Sequence, residues 1–271
     1  MWNRNTRLNP ALTLFSALCA VAAQAQSPSS NPSIAASVNG SRQVQVGRGT
    51  PLLVSAVIQH SRQYAADAAL LDVSHGDAGW TSAVQLAVVD SQGQPVSWMI
   101  QVTPSTEPTL HLDGSAIGIV SWRIAPEDTT NIANGVYQLT AILDNTDLPV
   151  DGWQGSVASV AVSITINDPP ATLSLLDDAD QAQLFASYYV LAGDLAKSLA
   201  ALDDLFTRQP DQINALTLRG NILESQGNDA DALAAYEHSV SAFQAQFPNA
   251  PEPPRVLLRQ RALVRARLQI P

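Results

Sequence analysis

The feature that most constrains this chain is a change of apolar period at Asp168-Pro169-Pro170. Before it, apolar residues recur at every second position. Val96, Trp98, Ile100 and Val102 alternate in "PVSWMIQV", Tyr137, Leu139, Ala141 and Leu143 in "VYQLTAIL", and Val160, Val162, Ile164 and Ile166 further on. One apolar face and one mixed face is what half-buried antiparallel strands require. Neither proline can donate to a ladder and each restricts the residue before it, so the strands stop there. Beyond the prolines the period becomes helical. The chain reads as an all-β unit over residues 33–168, a linker over 169–174 and an all-α unit over 175–270.

Further strands are expected over 34–38, 42–46, 52–59, 82–90, 109–112 and 115–124, with hairpin turns at Asp113-Gly114 and "DSQGQP". Many short strands at this spacing predict a β-sandwich. The stretch "NIANGVYQLTAIL" resembles the tyrosine-corner strand of immunoglobulin-like domains, with Tyr137 as the tyrosine. Leu139 stands where antibody-type domains carry their second cysteine. The resemblance therefore implies an immunoglobulin-like sandwich without its disulfide. The segment 61–81 fits no strand pattern and reads as a short helix or a loop across the sandwich end, where binding residues often sit.

The amino terminus sets the compartment. Arg4 and Arg7 precede an apolar run, Ala11 to Ala23, followed by the small-residue site Ala23-Gln24-Ala25. That is the layout of a secretory signal peptide over residues 1–25, ahead of a flexible Ser/Pro-rich lead over 26–32. The run is too short to span a bilayer, and no other segment approaches that length. The one cysteine, Cys19, lies inside the leader, and Leu18 before it does not suit a lipid-attachment site. An exported protein without thiol chemistry is expected, periplasmic or extracellular, with association to the outer membrane left open.

Composition narrows the function classes. Charged residues make up 14% and apolar ones 46%, enough for packed cores. The net charge of −10 repels phosphate backbones, so nucleic acid is not an expected partner.

In the helical unit, "AGDLAKSLAALDDLFTRQP" is echoed 34 residues later by "QGNDADALAAYEHSVSAFQ". At that offset Ala186 falls on Gly220, Tyr189 on Leu223, Ser198 on Ala232 and Leu202 on Tyr236. Small residues recur where two helices approach closely, and large ones where they fill the groove. This pattern resembles the tetratricopeptide repeat, with repeats over 179–212 and 213–247 and Pro210 between them. The resemblance implies a concave face lined by Asp180, Gln183, Ser187, Asn214, Thr217, Asn221 and Glu224, with Asn221 where the family often bonds a peptide backbone. Gln183 and Thr217 stand where a carboxylate clamp would need basic residues, so no such clamp is expected. A merely solvated helix face is the other reading of these positions.

Residues 171–252 carry three basic groups against twelve acids, whereas the tail from Pro253 carries five arginines and no acid. A further helix over 254–269 has two apolar stripes, Leu257, Val264 and Leu268, and Leu258, Ala262 and Ala266. It is expected to cap the repeats and neutralise them; a separate basic docking patch is the alternative.

Catalytic signatures are sparse. His60, His75, His111 and His238 lie at no metal-ligand spacing, and no nucleophile elbow or phosphate loop is present. Asp144, Asp147 and Asp151 suit either calcium or ordinary turns. No cofactor is expected. The favoured reading is a non-catalytic exported protein that binds another protein or peptide. The alternative is a hydrolase or carbohydrate-binding protein with its site on the sandwich loops.

Overall fold

The computed structural model describes residues 32–60, 71–74, 79–103, 109–112, 117–146, 153–250 and 252–270, with 71–74 as backbone alone. The signal peptide, most of segment 61–81 with His75, the Asp113-Gly114 turn, Asp147 and Asp151 lie outside the described residues.

The N-terminal part is built of strands β1 (Pro32–Val38), β2 (Gln43–Gly47), β3 (Leu52–His60), β4 (Leu71–Ser74), β5 (Val84–Asp90), β6 (Gln101–Thr103), β7 (Thr109–Leu112), β8 (Ile117–Ile124), β9 (Gly135–Asp144), β10 (Ser156–Ala158) and β11 (Val162–Asn167). A short helix α1 (Pro126–Thr130) links β8 to β9. One sheet runs β1-β3-β8-β6. In the other, β5 pairs with one edge of β9 while β10 and β11 share the opposite edge, and β2 lies parallel to β11. This is the arrangement in which an immunoglobulin-type sandwich places its first, second, fifth and fourth strands against its third, sixth and seventh. Between the sheets lies one apolar core, including Val54, Ile58, Leu139, Leu143, Ile164 and Ile166, each of them buried.

The tyrosine corner is formed. The Tyr137 hydroxyl donates to the Ala133 carbonyl at 2.8 Å, and its ring meets Trp98 edge-on at 5.2 Å. Replacing Tyr137 with Phe removes this half-buried bond and is expected to cost about 1 kcal/mol, measured as a urea midpoint. An unchanged midpoint would show that the corner contributes nothing. The stretch "PVSWMIQV" differs from expectation, because only Gln101–Thr103 is strand. Val96, Trp98 and Ile100 still pack on the core. Here the chain crosses from one sheet to the other, so burial alternates without a ladder partner.

The C-terminal part comprises α2 (Leu175–Leu191), α3 (Leu195–Arg208), α4 (Ile213–Ser225), α5 (Asp229–Gln246) and α6 (Arg255–Arg267). The first four form two helical hairpins offset by 34 residues, since α3 starts at Leu195 and α5 at Asp229. Gly193 and Gly227 occupy the same left-handed conformation, φ 78° and 75°, where a side chain would be strained. The next residues, Asp194 and Asn228, cap α3 and α5 by accepting from Lys197 N and Asp231 N.

The superimposed positions are core positions except Tyr189, which is half-buried. Ala186, Gly220, Ser198, Ala232, Leu202 and Tyr236 are all buried. Ser198 satisfies its hydroxyl by donating to the Ala186 carbonyl at 2.8 Å. The tail helix docks as expected, with Leu257 and Val264 buried against Leu223, Leu233, Tyr236 and Val240. Its second stripe is corrected: Leu258 is half-buried, but Ala262 and Ala266 are exposed. The helix touches neighbours on one side only.

Ion pairs tie these layers together. Arg208 forms a two-point pair with Asp178 across the first hairpin, at 3.0 and 3.1 Å, and Arg267 does the same with Asp229, at 2.8 and 3.0 Å. These guanidinium groups hold the carboxyls of Asp178 and Asp229 below the ordinary value of 3.8. A depressed folded-state pKa stabilises above the unfolded value and is lost as the pH falls below it. At pH 7 the Arg208→Gln variant should therefore melt below the wild type, with the gap closing as the pH falls below the ordinary carboxyl value of 3.8 and through the lowered folded-state value. A gap independent of pH would mean that Arg208 acts by packing alone.

Candidate functional site

The site develops where the first strand changes sheets. After β1, Asn39 and Gly40 turn the chain with φ 49° and 76°. Asn39 fixes the turn by accepting from Leu53 N at 2.8 Å. The strand then resumes as β2, an edge strand paired only with β11. In a parallel ladder alternate residues bond the neighbour. The terminal bonds, Ser163 N to Arg42 O and Arg48 N to Asn167 O, set that alternation. It turns Gln43, Gln45 and Gly47 outward. Ser41 Oγ engages Gln43 N and O, and Thr50 N engages Gly47 O. The N–H and C=O of Gln45 are left facing out from the edge.

Helix α2 lies opposite this edge, pinned near both ends. At its approach, Arg48 bonds Asp168 at 2.5 Å, and Pro169 closes over Gly47, where a Cβ would meet its Cα at 3.0 Å. Ser174 caps the helix by accepting from Asp177 N, and Asp177 and Asp178 complement the dipole in the first turn. At the far end, Arg123 of β8 donates to the Leu191 carbonyl at 2.8 Å. That contact also satisfies a terminal acceptor of the helix. Nearby, burial and then the Glu127 carboxylate push the Tyr188 phenol up from its ordinary value.

Between the pins lies an open cleft of about 1020 Å³. Its helix wall is one stripe at helical spacing: Asp177, Asp180 and Gln181, Leu184, Ser187, and Leu191, with Gln183 beside them. Its sandwich wall is Val44–Gly47 with Asn39, Leu53, Ser55 and Asn167. Three carboxylates, Asp168, Asp177 and Asp180, line it, and none of the lining residues is a lysine or arginine. The walls offer amides, hydroxyls, a strand edge and negative charge.

The seven positions expected to line a concave face are divided by the structure. Asp180, Gln183 and Ser187 meet in the cleft. Asn214 is exposed on α4. Thr217 bonds the Ile213 carbonyl and Ser239 Oγ, both at 2.9 Å. The Tyr236 hydroxyl sits 2.7 Å from Asn221 Oδ1 and 2.8 Å from Glu224 Oε2, and Arg267 takes the other Glu224 oxygen at 2.7 Å. Thr217 and Asn221 thus join α4 to α5 within the second hairpin, and Glu224 also ties that hairpin to α6. The strand edge at Gln45 escaped the sequence reading. The parallel register to β11 that exposes it leaves no mark in residue order.

The remaining candidates separate. His60 is buried at the end of β3, His111 lies on β7, and His238 pairs with Asp211 at 2.8 Å. None of these three lines the cleft. Asp144 Oδ1 accepts from Thr146 N and Oγ1, an ordinary turn role. Among the described residues no group of three or more His, Cys, Asp or Glu is placed to hold a metal ion. Trp80, Trp122 and Trp153 are buried and Trp98 is half-buried, so these four build no exposed aromatic face. No helix of the described residues is long and apolar enough to cross a membrane.

No family model matches the sequence, and no curated protein matches it. Among solved structures, AggA, the major subunit of aggregative adherence fimbriae type I from Escherichia coli, aligns with TM-score 0.29 and 15% identity over 53% of this chain and 100% of its own. The E. coli chaperone DraB aligns with TM-score 0.28 and 14% identity over 54% of this chain and 58% of its own. A family 123 glycoside hydrolase from Clostridium perfringens aligns with TM-score 0.30 and 9% identity over 65% of this chain and 36% of its own. All three alignments are partial and score low, so the functional reading rests on the cleft.

Proposed function

We propose that this chain is an exported, non-catalytic interaction protein of a bacterial envelope, in which the cleft between β2 and α2 holds an extended segment of a partner protein. The observation that carries the reading is the edge strand opposite an amide- and hydroxyl-bearing helix face, with the Gln45 backbone turned into the gap. An extended peptide adds to such an edge through main-chain bonds and gains specificity from flanking side chains. The acidic lining favours a segment carrying lysine or arginine. The 34-residue helical hairpins support a tetratricopeptide-like origin for the helical wall, whose first helix is the one that meets the cleft.

Gln45→Pro tests this reading. Its N–H points away from the sheet, so proline is tolerated there as on other strand edges, yet it blocks strand addition. Wild type, Gln45→Pro and Asp180→Lys serve as baits against the envelope fraction of the exporting cell. One partner should be retained by the wild type and lost by both variants, with melting temperatures nearly unchanged. Retention of the same partner by both variants would exclude the cleft.

A further inference from the structure

We infer that the outward face of α6 is a second interaction surface, one that takes an acidic amphipathic helix of a partner protein. The inner face of α6 is spent on Leu257 and Val264. On the flank next to it, about a quarter-turn round the helix, Val256 is 69% exposed and Leu263 49%, seven residues apart and therefore on one stripe. Ile270, 42% exposed, continues the seven-residue spacing just past the helix. Its position is fixed by bonds from Gln269 N to Ala266 O and from Ile270 N to Arg265 O, which close the C-terminus as a Schellman turn. Ala262 and Ala266 are exposed beside the stripe and let another helix approach closely. The end of a stacked helical array ordinarily needs a polar outer face for solubility, and this one carries exposed apolar residues among its arginines.

Charge selects the occupant. Arg255 and Arg259, one turn apart, are exposed on the same face, and no acid lies between Pro253 and Pro271. Arg255 has only a 3.4 Å contact with Glu252 while being 92% exposed. A two-fold pairing of α6 with a second copy would bring together two helices that carry five arginines each and no acid. A bilayer is disfavoured as well, because a protein of net charge −10 is repelled by anionic lipid. A helix bearing apolar residues every seventh position and glutamates beside them satisfies both the stripe and the arginines.

The test uses the mature full-length chain and a synthetic helix of about 21 residues, long enough to hold helical structure. The probe has leucine and alanine on one face and glutamate beside it; a control peptide replaces each glutamate with lysine. Fluorescence anisotropy should show binding of the glutamate peptide alone. Affinity should fall at least about tenfold for Arg259→Glu and for Leu263→Ser. Both substitutions lie away from the buried side, so melting temperatures should stay close to wild type. Equal binding of the two peptides, or of wild type and variants, would overturn the inference. So would Leu263-dependent dimerisation in sedimentation, which would assign the face to a second copy. Leu263-dependent flotation with phosphatidylglycerol vesicles would likewise assign it to membrane. Because Gln45→Pro leaves α6 intact, loss of the cleft's function would not alter this result.

Discussion

Truncation before Pro253 should leave the helical half unstable or self-associating. The truncated chain loses Leu257 and Val264, both buried, and uncovers Leu223, Leu233, Tyr236 and Val240, against which they pack. Burial of each such side chain contributes about 1.5–3 kcal/mol, so the loss approaches the whole stability of a small helical domain. The charges matter far less. Arg267 is partly exposed even while paired with Asp229 and Glu224, and solvent screens pairs of this kind. Arg267→Gln should therefore lower the melting temperature slightly, by an amount that shrinks with added salt. Thermal unfolding followed by circular dichroism, together with sedimentation velocity, separates these cases. A truncated chain that stays monomeric with an unchanged melting point would mean that α6 contributes no stability.

Gly220→Ala should be strongly destabilising, although alanine in a helix interior ordinarily gains about 1 kcal/mol over glycine. An added Cβ would lie 2.6 Å from Tyr236 Cδ1 and 2.9 Å from its Cζ. The ring has no room to yield, being fully buried with its hydroxyl held between Asn221 and Glu224. Overpacking of this kind costs about 1–3 kcal/mol, which outweighs the helix-propensity gain. The first repeat shows how the conflict is relieved, because Ala186 and Leu202 occupy the positions of Gly220 and Tyr236. Pairing Gly220→Ala with Tyr236→Leu should recover part of the lost stability. Urea midpoints of the two single variants and the double variant decide it. A neutral or stabilising Gly220→Ala would show that Tyr236 does not need the missing side chain.

Much of this architecture was legible in the residues because local rules and tertiary contacts agree. The stretch around Tyr137 resembled a tyrosine-corner strand, and the Tyr137 hydroxyl does donate to the backbone four residues upstream. The 34-residue echo predicted close contacts from small and large residues, and the positions it named are buried except Tyr189, which is half-buried. Where the reading failed, partnering was the cause. Val96, Trp98 and Ile100 alternate like a strand yet have no ladder, because that stretch runs between sheets. Ala262 and Ala266 looked like a second packing stripe, but only one side of α6 meets a neighbour.

The sequence by itself determined the two structural classes and the place where they meet. Period-two and helical patterns report which backbone hydrogen bonds a segment makes, and prolines at 169 and 170 forbid either from continuing. It also determined the tight helix contact at Gly220, since only a missing side chain admits a ring so closely. Tertiary structure alone decided which polar residues were left for binding. Ser187 and Asn221 stand at equivalent points of two similar helices, 34 residues apart. One faces a strand edge across a cleft, and the other is held by Tyr236. Their own helices are alike in period, so the difference comes from what each was packed against: the sandwich for α2, and α5 for α4.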